Sequence, residues 1–194
     1  AKSCAYDQWS VGKTVILQKD LSLEGMLWEP IPSFSGQFKG NGHTISDLTI
    51  TGQYSPAGLF GIVEEQGSIE SLSVRGVVSV SDSADTTTGG IVGINHGTLI
   101  NCQFTGVVTG DSEVGGIVGR NESEGTIDHS TARAIVTGKS STGGIAGYNL
   151  GAITGCTNVG SINTEYQEAS LDTDGFTAKM VDQINNKMAA ADDD

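Results

Sequence analysis

Apolar residues along this chain do not follow helical spacing; they fall in short runs closed by glycine, and three such runs recur in a fixed order. The first reads GLFG at 58–61, GIVG at 90–93, GIVG at 116–119 and GIAG at 144–147. The second reads GSI at 67–69, GTL at 97–99, GTI at 125–127 and GAI at 151–153. The third reads GVVS at 76–79, GVVT at 106–109, AIVT at 134–137 and GSIN at 160–163. From second to third the step is nine residues in every copy, whereas the other gaps vary. Constant spacing predicts regular backbone and variable spacing predicts loops. A Val, Ile or Leu beside Ser, Thr or Gly, bounded by turns, is the pattern of a short strand, so three strands and three turns per copy predict one coil of a solenoid.

Aligning the copies turns the runs into columns. Leu59, Ile91, Ile117 and Ile145 make one apolar stack; Ile69, Leu99, Ile127 and Ile153 a second; Val78, Val108, Val136 and Ile162 a third. These are expected to line three inner walls, with successive coils ~4.8 Å apart. Asn95, Asn121 and Asn149 form a further column, expected to be a structural ladder: asparagine tolerates the left-handed backbone of a corner, and stacked amides bond along the axis. The expected fold is all-β: a right-handed parallel β-helix of about five to six coils with an N-terminal cap and a short C-terminal capping helix. As one solenoid domain it divides into a cap and opening coil (1–30), a leading coil (31–57), four repeats (58–164) and a C-terminal cap with an acidic tail (165–194). In that last segment Thr177 is placed to cap a helix carrying Met180, Val181, Ile184 and Met188 on one face.

Composition narrows the picture. With 194 residues, 28 glycines and 3 prolines, the chain suits one narrow domain rather than Pro-rich disorder. Its aromatic share of 6% fits thin rungs better than a wide globular core. Net charge is -13, and about half of that excess lies in 165–194. The ten Lys and Arg are scattered, which argues against nucleic acid and against anionic membrane surfaces as partners. No apolar run is long enough for a membrane-spanning helix, so no membrane insertion is expected.

The residues that carry the repeat also carry a resemblance. GIVGIN at 90–95, GTLINC at 97–102 and GVVTG at 106–110 resemble the GLUG repeat of bacterial secreted and surface proteins, including some immunoglobulin A-specific metallopeptidases, where it accompanies the catalytic module. The stretch FSGQFKGNGHTI at 34–45, after WEPI at 28–31, resembles the segment that leads into such repeats. The likeness covers roughly residues 11–164 and implies a β-helical scaffold and an exported, extracellular location. It transfers no catalytic residue. The first copy departs from the pattern, with Val63 in place of Asn and Leu72 in place of Cys.

Little else points to chemistry. Cys102 and Cys156 share a column with Ser130 between them, hence two coils and roughly 10 Å apart, beyond the about 7 Å between Cα atoms that a disulfide permits; they read as small column fillers, and Cys4 has no evident partner. His43, His96 and His129 lie in different coils, so no metal or other cofactor is expected. Asp172 and Asp174 resemble part of a calcium loop but lack a closing Glu, since Val181 stands there. The sequences GKT at 12–14 and GKS at 138–140 hold only the end of a phosphate-binding loop, and the sequon at Asn121 competes with its ladder role. Glu64, Glu65, Glu122 and Glu124 gather at one corner, and Arg75 and Arg133 share a column interrupted by Thr105; a polysaccharide lyase or hydrolase would need such groups together, so a carbohydrate-active enzyme stands as an alternative. A glycan-binding module is another, with Ser79, Thr109, Thr137 and Asn163 as one outward column and Ser73, Gln103, Thr131 and Thr157 as a second. The main expectation is a non-catalytic extracellular stalk, spacer or adhesin of a bacterial surface or secreted protein. It is expected to meet host protein or glycan, as a monomer or as part of a longer chain.

Overall fold

Among the described residues, twenty-one short strands, every pair of them parallel, wind as stacked coils, so each coil hydrogen-bonds to the one before and the one after. The computed structural model describes residues 9–80 and 86–163, and all of the following concerns these. Cys4, the calcium-like Asp172 and Asp174, the expected C-terminal capping helix and the acidic tail fall outside them. A partial opening coil is followed by about five turns of a parallel β-solenoid.

The first wall stacks Ile31–Phe34, Phe60–Val63, Val92–Asn95, Val118–Asn121 and Ala146–Asn149. The second stacks Thr14–Ile16, Gln37–Lys39, Ser68–Glu70, Thr98–Ile100, Thr126–Asp128 and Ala152–Thr154. The third is the widest. It runs from Leu21–Ser22 through Thr44–Gly52, Ser73–Val80, Gln103–Thr109 and Thr131–Thr137 to Thr157–Asn158 and Ser161–Ile162. A fourth wall, short and glycine-rich, holds Thr87–Gly89, Glu113–Gly115 and Thr142–Gly143. Three walls were expected. Strands of two or three residues built from Thr, Val and Gly carry no period of their own, and they abut the loops of variable length that hide them from a pattern search.

Register confirms the three apolar columns and extends them toward the N-terminus. Ile69, Leu99, Ile127 and Ile153 pair in sequence, and Phe38 and Val15 continue the same line. Ile50 precedes Val78, Val108, Val136 and Ile162. Leu59, Ile91 and Ile117 are buried one residue before the paired strands of the first wall. Residues 31–52 therefore contribute a strand to each of the first three walls. Aromatic side chains fill the interior there, where Phe38 meets Phe34 and Phe60 edge to face and Phe34 and Phe60 pack tilted, at centroid distances of 5.2–6.4 Å. Trp28, from the segment expected to cap this end, donates its indole N–H to the Leu59 carbonyl at 3.1 Å.

Left-handed backbone does occur at a corner, but not at the ladder asparagines. It lies between the second and third walls, where Ser71, Asn101, His129 and Gly155 occupy one column with φ of 51°, 52°, 46° and 63°. Asn95, Asn121 and Asn149 instead end extended strands. Their amides are used for bonding rather than for tolerance of positive φ. The third wall also bulges at Ser46 and Asp47, which the neighbouring strand skips, and both the Ser22 and Ser46 hydroxyls donate to the Asp47 carboxylate.

Candidate functional site

Inside the coil, side chains that could do chemistry are engaged along the axis. Asn95 Nδ2 donates to Asn121 Oδ1 at 2.8 Å, and Asn121 Nδ2 donates to Asn149 Oδ1 at 2.8 Å. Each amide also donates to a backbone carbonyl of its own corner, that of Gly97, Gly125 or Gly151. Asn95 and Asn121 are wholly buried. One rung earlier the same column holds Val63 and then Phe34, so the ladder begins where the aromatic interior ends.

A second axial line contains the thiols. The Cys102 backbone N–H donates to Ser130 Oγ at 3.1 Å, and the Ser130 N–H points to Cys156 Sγ at 3.4 Å. Both cysteines are free. Burial pushes the Cys102 thiol up to about 12, and burial also raises that of the less enclosed Cys156. A thiol held protonated is neither nucleophile nor metal ligand. Among the described residues no group of three His, Cys, Asp or Glu converges as a metal site would require.

The clustered glutamates are held apart by different partners. Glu64 accepts from Ser33 Oγ at 2.7 Å. Glu122 accepts from Arg120 Nε at 2.6 Å, while Arg120 Nη1 reaches Glu113 at 2.8 Å. The hydrogen bond to Glu122, followed by the charge of Glu113, raises the pKa of the guanidinium further, and the group also lies 4.9 Å from the Tyr148 ring centre. This network ties two coils together on the outside. His43 Nδ1 lies 3.2 Å from Asp20 Oδ1, which also accepts from the Thr44 N–H at 2.9 Å; that backbone bond, then His43, lowers the Asp20 pKa. The second phosphate-loop lookalike is a turn in which Lys139 pairs with Asp111 at 2.6 Å.

Outward positions of the third wall give the broadest regular face. Strand register places Thr51, Ser79, Thr109 and Thr137 in one column and Thr44, Ser73, Gln103, Thr131 and Thr157 in another. Between them run Arg75, Thr105 and Arg133, and beside these Thr49, Val77, Val107 and Ile135. Asn163 follows Thr137 in register, yet its Oδ1 accepts from the Gly138 N–H at 2.8 Å and its φ is 42°. It closes a corner rather than continuing the hydroxyl line. The sequence located both hydroxyl columns but not the aliphatic one between them, because Val77, Val107 and Ile135 read there as part of an apolar run.

The coil that contains Asn121, Ser130 and Arg133 decides the comparison with known repeats. Residues 110–137 match the GLUG motif. Over 117 residues, 56% of its length, the chain is 36% identical to halomucin of Haloquadratum walsbyi, and it spans 1% of that protein. It is 30% identical over 137 residues to a protein of Evansella cellulosilytica assigned as a Gly-rich membrane protein, spanning 51% of this chain and 16% of that one. A crystal structure of a Bacteroides ovatus protein, described as an immunoglobulin A1 protease candidate, superposes with a TM-score of 0.53 at 18% identity, covering 80% of this chain and 73% of that one. That likeness is one of fold. The GLUG repeat thus coincides with one turn of the solenoid, from the short fourth wall through the first and second walls to the end of the third.

Proposed function

We propose that this chain is a non-catalytic module of a secreted or surface-exposed protein, a spacer whose outer wall also serves for adhesion. The carrying observation is the direction of its polar bonding: Asn95, Asn121 and Asn149 bond coil to coil rather than converging on a substrate. Support comes also from the two relatives, one named halomucin and the other assigned as a membrane protein, each far longer than the matched stretch. An array of short identical rungs gives length and stiffness for few large residues. Adhesion is favoured by the third wall, where two hydroxyl columns flank arginine and aliphatic columns on one sheet.

Incubating the isolated chain with a panel of polysaccharides and with immunoglobulin A tests the first part. No cleavage product is expected. Catalytic release of oligosaccharide or peptide would overturn the spacer reading in favour of an enzyme built on the same solenoid.

A further inference from the structure

Three consecutive strands of the third wall, Ser73–Val80, Gln103–Thr109 and Thr131–Thr137, contain no Asp or Glu. The chain as a whole has 23 acids against 10 Lys and Arg. The same strands carry Arg75 and Arg133, two of the chain's three arginines, both exposed. The third, Arg120, is neutralised by Glu113 and Glu122, whereas no ion pair within 4.0 Å is formed by Arg75 or Arg133 among the described residues. Asp20 lies at the margin of the patch and interacts with Arg75 at longer range.

Geometry adds three features. Arg75 and Arg133 point outward from the same column with Thr105 between them, a separation of two strand spacings, about 10 Å. That is about one disaccharide step of an extended pyranose chain. Beside them Val77, at 40% exposure, and Ile135, at 52%, form an aliphatic strip suited to the C–H face of a sugar ring. At the far end the strip opens into a shallow depression of about 510 Å³ lined by Arg133, Ile135, Val159 and Ser161. Guanidinium groups recognise carboxylate and sulfate through paired N–H donors, and the flanking Thr109 and Thr137 hydroxyls offer bonds to ring hydroxyls.

We propose that this face binds an acidic polysaccharide whose anionic groups recur at each disaccharide step, Arg75 and Arg133 each taking one charge along the solenoid axis. The proposal rests on the adhesive reading of the same wall and supplies its ligand class. A neutral glycan leaves both cations unanswered. The axial direction follows because the two cations lie in one column, across the strands rather than along one of them.

Binding of the full chain to immobilised chondroitin sulfate and polygalacturonate, with neutral dextran as control, tests the assignment. Capture of one or both acidic polymers is expected, weakening as salt rises, with no capture of dextran. R133A and R75A should each weaken binding by about ten-fold, the cost of one charge-assisted contact, and the double variant should abolish it. Both side chains are exposed, and an unchanged circular dichroism spectrum verifies that the variants fold. T109V/T137V should weaken binding less. Failure to bind either acidic polymer, equal binding of dextran, or retention of binding by the double variant would overturn the proposal. Release of oligosaccharide from a captured polymer would leave the face standing and overturn the non-catalytic reading instead.

Discussion

The amide of Asn121 is bonded on both sides, accepting from Asn95 at 2.8 Å and donating to Asn149 at 2.8 Å, in a column closed to water at Asn95 and Asn121. Truncating it strands the Asn95 donor in the interior. N121A is expected to lose about 2–4 kcal/mol of stability, whereas N149A, at the exposed end of the ladder, should lose about 1 kcal/mol or less. Urea unfolding of both variants checks the ordering, and equal losses would refute a load shared through the buried rung.

Gly106 and Ala134 occupy one column, yet they differ in what they tolerate. Gly106 has φ of 147°, and a Cβ there would fall 1.8 Å from the Gly76 carbonyl oxygen. G106A should therefore cost about 3 kcal/mol or more. A134G, at a position that already accommodates a methyl group, should cost about 1 kcal/mol. Thermal denaturation of the pair reads the difference.

Thr88 is wholly buried, and its hydroxyl meets no hydrogen-bond partner among the described residues. T88V keeps the shape and removes the desolvated group, so it should be neutral or stabilising by about 1 kcal/mol. The nearby Thr86 hydroxyl accepts from the Asp111 N–H at 2.8 Å, and T86V should be destabilising by about 1 kcal/mol. Opposite signs for two Thr-to-Val changes in one segment are the outcome to look for.

The buried Cys102 thiol gives a pH signature. Its pKa stands at about 12 against an ordinary value of 9.0, so the unfolded chain releases this proton while the folded chain keeps it. Stability is therefore fully present below pH 9.0 and falls as pH rises toward 12. C102S should flatten that fall while costing about 1 kcal/mol at neutral pH, since serine already fills the same column at Ser130. In native protein at pH 8, a thiol reagent should modify Cys156 before Cys102.

Much of this fold could be read from one-dimensional repetition because a solenoid maps sequence period directly onto space. Ile69, Leu99, Ile127 and Ile153 stack because their spacing repeats, and no long-range pairing had to be guessed. The asparagine ladder was visible for the same reason. What escaped was local. The fourth wall consists of strands such as Thr142–Gly143, too short to show alternation. The corner assignment also failed: asparagine suggested left-handed backbone, whereas Asn101 and His129 adopt it and Asn121 does not. The outward face was legible as hydroxyl columns, and Arg75 and Arg133 as one column, but that they stand beside Val77 and Ile135 on one side of one sheet emerged only once register had placed them.

Hydrogen bonds between rungs run parallel to the long axis, because every strand lies across it and pairs with the equivalent strand of the next turn. A pull along the axis therefore acts on one rung at a time, peeling the end coil instead of shearing many bonds together. Successive ladder asparagines are 26 and 28 residues apart, and that is the length of chain each yielding turn would release. Under tension such coils would open in small, nearly equal steps at modest force.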